Sequence, residues 1–260
     1  MPVPTIDLTW AGYSLALLAA FAVGISKTGF GGASMVSVLL FAEIFGAKPS
    51  VGVALPLLIV ADIAVYPVFR RYASWRLVWP LLPPAIAGVF VGAYLLGAID
   101  NATARRVIGW IILVMLSLRL LRFRFADFAA RLPHSTAFAW FCGAFGGIAT
   151  TLANAAGPVM SVYLLLRQFP KFDLLGVNAR FFLFINLFKV TLFVSAPSLI
   201  PDFDLDILNS RSLLIDLMLV PGVVVGILVG RKLLAVVPQQ LFDSLLVAFA
   251  LIAALRLALF

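Results

Sequence analysis

Two short stretches hold residue types that could do chemistry inside an otherwise apolar chain: "SKTGFGG" at 26–32 and "TTLANAAGP" at 150–158. In the first, Ser26, Lys27 and Thr28 stand beside Gly29, Gly31 and Gly32, and Ser34 follows. Glycines let a backbone turn sharply and approach a ligand closely. A helix opening near Ala33 and Ser34 aims its free amides and its positive dipole end at whatever lies before it. That is an anion-binding arrangement, to which Lys27 adds a formal charge and the hydroxyls add hydrogen bonds. The second stretch repeats the logic without a charge, through Thr150, Thr151 and Asn154, a bend at Gly157, and Ser161 one turn later. Pro158 stands where a first helical turn tolerates a missing N–H. An anion site between the two is therefore expected to be lopsided, with its charge on the Lys27 side. The competing reading is a packing cluster of glycines and polar glue between helices, with Lys27 reaching to an interface.

Other polar groups fall in apolar surroundings. Asn178, Asn186 and Lys189 are spaced by eight and three, which puts them on one helical face. Lys189 either belongs to the site or snorkels to the nearby end of its span. Asp62 is nearly central to its own apolar stretch. It reads either as a proton-carrying carboxylate or as a structural partner of a lysine such as Lys189 or Lys27. Arg180 is expected at an interface or loop, and Glu43 near the outer end of a short helix.

Enzymatic chemistry finds little support. His134 is the sole histidine, and neither an HExxH nor a GxxxxGK[S/T] pattern occurs. Ser26 in "GIS" has no histidine at depth to activate it. A single cysteine, Cys142, allows no intrachain disulfide or cysteine-cluster metal site. The expectation is a non-enzyme with no catalytic residues, cofactor or metal.

The elements that position these stretches follow from composition. Of 260 residues, 63% are hydrophobic and 12% charged, and the mean hydropathy is +1.13. That much apolar surface belongs in a lipid bilayer. The net charge of +8 is scattered through loops, which argues for topology signals and against nucleic acid. The start, "MPVPTIDLTW", lacks a basic signal-peptide region, so the first helix is expected to stay attached. Full spans are expected at 51–69, 77–98, 105–121, 176–194, 212–230 and 240–258. The regions 10–45 and 136–168 are too long for one crossing, and each is expected to be two short helices folded at its break.

The halves also repeat. "MVSV" at 35–38 answers "VMSV" at 159–162, "GVA" at 52–54 answers "GVN" at 176–178, and "LRLLRF" at 118–123 answers "LRLALF" at 255–260. "PPAIAGVFVG" at 83–92 answers "PGVVVGILVG" at 221–230, with one proline and two glycines in register. If each broken region enters and leaves on one side, loop cations split roughly eleven to five in favour of the cytoplasm. The pair Arg105 and Arg106 is the main misfit. The expected architecture is an all-α polytopic membrane protein of two inverted repeats, 1–130 and 131–260. Each holds a broken short-helix pair plus three full transmembrane helices, and both termini lie outside. Secondary transporters use this design, with substrate held near the midplane where the breaks meet.

The run "GISKTGFGGASMVSVLL", the "GVA" opening of the next span and the degenerate second copy resemble the TauE/SafE family of membrane transporters. The resemblance extends over essentially the whole chain. It implies an inner-membrane permease, by the family's associations an exporter, moving a small oxyanion such as sulfite or an organosulfonate. The expected partners are thus a small anionic substrate, H+ or Na+ as coupling ion, and the lipid bilayer; nothing in the sequence speaks to oligomeric state. The alternatives are a passive anion channel, a carrier of a short carboxylate and, more distantly, an intramembrane enzyme.

Overall fold

The structure is a computed structural model that describes residues 8–129, 136–166, 171–199 and 207–236, with Leu251 and Leu255. Helices dominate it: α1 (Trp10–Ser26), α2 (Ala33–Phe45), α3 (Ala47–Phe69), the single turn α4 (Trp75–Val78) and α5 (Leu82–Ala98). They continue as α6 (Asn101–Ala129), α7 (Thr136–Ala153), α8 (Gly157–Leu166), α9 (Lys171–Leu199) and α10 (Ser210–Val236). Short 3-10 turns at Arg70–Tyr72 and Trp79–Leu81 flank α4. No strand occurs among the described residues, and the chain is an all-α polytopic membrane protein.

Among the described residues, five helices are long and apolar enough to cross a membrane: Ala47–Tyr72, Trp75–Ala98, Thr136–Ala153, Phe172–Ser195 and Ser212–Leu233. The expected span 105–121 lies within α6, which runs on to Ala129, so Arg119, Arg122 and Arg124 sit on a helix and not in a loop. The expected span 240–258 and His134 lie outside the described residues, apart from Leu251 and Leu255. Both interrupted regions are helix pairs, α1–α2 and α7–α8.

Side-chain size shows how the helices pack. On α1 the buried face is Ala16, Ala19 and Ala20, whereas Leu15 and Leu18 are exposed. Phe90, Tyr94, Phe141, Leu217 and Leu228 likewise point outward. Large apolar groups facing lipid and small ones between helices are what a bilayer selects, since close backbone approach replaces the hydrophobic drive available in water.

Glycine supplies the closest approaches, and they come in matched sets. A Cβ on Gly24 of α1 would fall 2.2 Å from the Val223 carbonyl oxygen of α10; one on Gly147 of α7 would fall 2.1 Å from the Ala85 carbonyl oxygen of α5. A Cβ on Gly226 would likewise run into the Phe21 carbonyl oxygen, and one on Gly88 into the Ala144 carbonyl oxygen. Gly230 lies over Thr28 as Gly92 lies over Thr151. Positions 21, 24 and 28 are thus repeated at 144, 147 and 151, and positions 85, 88 and 92 at 223, 226 and 230. These are the glycines aligned in the duplicated "AGVFVG" and "VGILVG" blocks. α1 thus packs on the glycine-rich α10, and α7 on the glycine-rich α5, through the same spacing.

Candidate functional site

The first break spans 27–32. After α1 ends, the Thr28 N–H bonds back to the Ile25 carbonyl and Gly29 takes φ 118°, a left-handed conformation suited to glycine. Gly32 keeps φ −67°, so Gly29 alone of the three glycines needs its freedom for the turn. In the second break the left-handed position is held by Asn154, at φ 50°. Asparagine enters that region more readily than other side chains. The expected bend at Gly157 is therefore made three residues earlier, and Gly157 instead opens α8.

The two breaks meet. A Cβ on Gly157 would sit 3.6 Å from Ser34 Oγ, which brings the start of α8 against the start of α2. Around this junction lies a partly open cavity lined by Ser26, Lys27, Gly31 and Ser34 around the first break and by Thr150, Asn154, Gly157 and Ser161 around the second. Asp62 of α3 and Asn178 and Asn186 of α9 complete its polar wall.

Charge is arranged tightly within it. Lys27 Nζ is 2.7 Å from Asp62 Oδ1 and lies over the Phe182 ring, 4.5 Å from its centroid. Asp62 Oδ2 accepts from Asn186 Nδ2 at 2.7 Å. Asp62 is thus an ion-pair partner of Lys27, and its side chain is only 1% exposed. Losing one member of such a pair leaves a buried charge uncompensated, at a cost of about 3–5 kcal/mol. Among the described residues, the Asn178 and Asn186 side-chain oxygens are buried without a hydrogen-bond partner.

Lys189 neither snorkels nor lines the cavity. Fully buried, its ammonium donates to the Thr150 carbonyl at 2.8 Å, to Asn154 Oδ1 at 2.6 Å and to Thr150 Oγ1 at 3.3 Å. It caps the carbonyl end of α7, where the helix dipole favours a cation. The second break is consequently not neutral. Its lysine comes from α9, and a reading of "TTLANAAGP" alone has no way to include it. Asn154 Nδ2 also donates to the Val51 carbonyl, tying the break to α3.

Other expected positions lie away from the cavity. Thr28 Oγ1 donates to the Ile25 carbonyl and Thr151 Oγ1 to the Gly147 carbonyl. Both threonines are buried against the glycines of α10 and α5, so they serve packing. Gly32 does not line the cavity either. Ser34, Ser161 and Ser26 do, each donating at present to a carbonyl of its own turn. Arg180 is buried and not a loop charge: it donates to the carbonyls of Gly176 and Arg70, fastening α9 to the end of α3. Glu43 pairs with Arg105 at 2.9 Å, and Lys48 Nζ donates to the Ile99 carbonyl, so two of the cations expected on the outer side are held by protein groups.

The sequence reading missed the apolar wall of Leu58, Val65, Leu175 and Phe182. A signal existed. Leu58, Asp62 and Val65 follow a helical i, i+4, i+7 stripe, and Leu175, Asn178 and Phe182 on α9 an i, i+3, i+7 one. Asp216 of α10 was also missed; both its oxygens are buried without a hydrogen-bond partner among the described residues.

A helical membrane protein whose two broken helix pairs converge on a buried, lysine-bearing cavity has the construction of a transport protein. The family model described as Sulfite exporter TauE/SafE matches residues 15–257, and the chain belongs to that family. No curated protein and no solved structure matches it. It is a multi-pass membrane protein of a transporter family.

Proposed function

We propose that this protein is a secondary transporter, acting as an exporter, for a small oxyanion such as sulfite or an organosulfonate. In this reading the two copies are inverted repeats in the inner membrane, with both termini outside. The cavity between their breaks is the substrate site, reached from each side in turn. One observation supports it above the rest: the starts of α2 and α8 abut at Ser34 and Gly157 on a cavity that Lys27 also lines. Two helix amino ends and a cation facing one cavity stabilise negative charge. The matched glycine contacts support the two-fold relation that alternating access requires.

Lys27, Ser26, Ser34, Gly31, Gly157, Ser161, Asn154 and Thr150 are assigned to the substrate, with Asn178 and Asn186 on the facing helix. Asp62 is assigned to coupling. An arriving anion competes with it for Lys27, and a carboxylate losing its cation in this buried position gains affinity for a proton or Na+. Lys189 is assigned to holding the second break in shape.

Thermal unfolding of the purified protein in detergent tests the reading. A ligand that binds the folded state stabilises it by mass action, by about 2.7 kcal/mol at a hundred times its dissociation constant. Sulfite and short sulfonates are expected to raise the midpoint, while short carboxylates and chloride leave it unchanged. A shift confined to carboxylates would move the assignment to organic acids, and no shift with any anion would remove the site.

A further inference from the structure

The cavity's charge balance carries an inference about which anions it accepts. Three ionisable side chains line it or bond to its wall among the described residues: Lys27, Asp62 and Lys189. Lys27 and Asp62 neutralise one another at 2.7 Å. Lys189 has only neutral oxygens as acceptors, two of which, the Thr150 carbonyl and Asn154 Oδ1, cannot donate in return. Three oxygen acceptors match the three donors of an ammonium ion. The other buried charges, Lys48, Arg180 and Asp216, are not on the cavity wall. Lys48 donates to the Ile99 carbonyl and Arg180 to the carbonyls of Gly176 and Arg70, none of which lines the cavity.

We infer that the site is a monoanion site. With Lys189 holding its proton the site carries one uncompensated positive charge, and that charge belongs to Lys189, a residue that does not touch the cavity. The inference rests on the transport reading above and deepens it by naming the valence of the substrate. A monoanion entering beside Lys27 brings the buried cluster to neutrality. A dianion leaves it with a net negative charge in surroundings of low dielectric, where an unbalanced charge is costly. Helix amino ends add partial positive charge but do not alter this order, since they act on both kinds of anion. Lys189 therefore sets valence at a distance, and Asp62 sets it from the opposite sign.

Methanesulfonate and sulfate test this directly, because they share a tetrahedral sulfur and differ by one charge at neutral pH. Calorimetric binding is measured on the purified full chain in detergent. Wild type is expected to favour methanesulfonate. The near-isosteric Asp62→Asn removes one negative charge, and it is expected to shift the affinity ratio toward sulfate by about tenfold or more. Lys189→Met is expected to weaken both anions. The double variant Asp62→Asn with Lys189→Met returns to one net positive charge and regains the preference for methanesulfonate. Thermal unfolding confirms that each variant is folded; if Lys189→Met is not, Asp62→Asn alone decides. A ratio unmoved by Asp62→Asn, with both anions binding, overturns the valence assignment and leaves the transport reading intact. Absence of binding by either anion in wild type overturns both.

Discussion

Lys27 Nζ and Asp62 Oδ1 are 2.7 Å apart, in a cavity where Asp62 is almost wholly buried and Lys27 keeps 13% of its side chain exposed. The asymmetry matters more than the distance. Both side chains line the cavity, but Lys27 is the more exposed of the two, so in the transport reading proposed above an arriving anion meets Lys27 first and competes with Asp62 for it.

That order predicts two separable losses. Lys27→Ala strands a buried carboxylate and is expected to destabilise the protein by about 3–5 kcal/mol, seen as a lowered thermal midpoint. Adding Asp62→Asn is expected to restore most of the midpoint without restoring anion binding. If the double variant bound anions like wild type, Lys27 would be a structural charge only.

Asn154 predicts a split between backbone and side-chain effects. It combines a left-handed φ with hydrogen bonds to Lys189 and Val51. Asn154→Ala is expected to cost about 2–4 kcal/mol through strain and a lysine left short of an acceptor. Asn154→Gly relieves the strain and is expected to fall between Ala and wild type. Equal midpoints for the two variants would show that φ contributes nothing.

The glycines predict a contrast within one region. Gly24→Ala drives a methyl into the Val223 carbonyl, and Gly147→Ala does the same at Ala85. Each is expected to cost about 1–3 kcal/mol or more, since backbone cannot step aside as a side-chain end can. A Cβ on Gly31 meets nothing within 4 Å, so Gly31→Ala should leave the midpoint within about 0.5 kcal/mol while narrowing the cavity. Thermal unfolding in detergent separates the cases.

Arg180 predicts a tie between helices. Its guanidinium spans from α9 to the Arg70 carbonyl at the end of α3 and lies near the rings of Tyr66 and Trp75. Arg180→Met keeps the apolar stem but removes charged hydrogen bonds worth about 1.5–3 kcal/mol. Limited proteolysis at the 70–75 turn should quicken. An unchanged cleavage rate would count against the tie.

Much of this was legible in the residues. Both broken helices, the helical spans now described and the glycine register of the duplicated blocks follow from apolar run length and local pattern. Lys189 was not legible, because its partners Thr150 and Asn154 are 39 and 35 residues away in sequence. Arg180 failed for the same reason. Its place near a span end suggested an interface, whereas its acceptor is a carbonyl 110 residues distant. Thr28 and Thr151 misled because type alone cannot say which face of a break a hydroxyl occupies. Their positions opposite Gly230 and Gly92 appear only once the helices are packed.

The most direct measurement is counterflow of radiolabelled sulfite in proteoliposomes, wild type against Lys27→Ala with Asp62→Asn. The account predicts saturable uptake accelerated by unlabelled sulfite inside wild-type vesicles, and little above the empty-liposome rate for the double variant. Uptake that neither saturates nor responds to internal sulfite, or equal exchange by both proteins, would contradict a carrier built around Lys27.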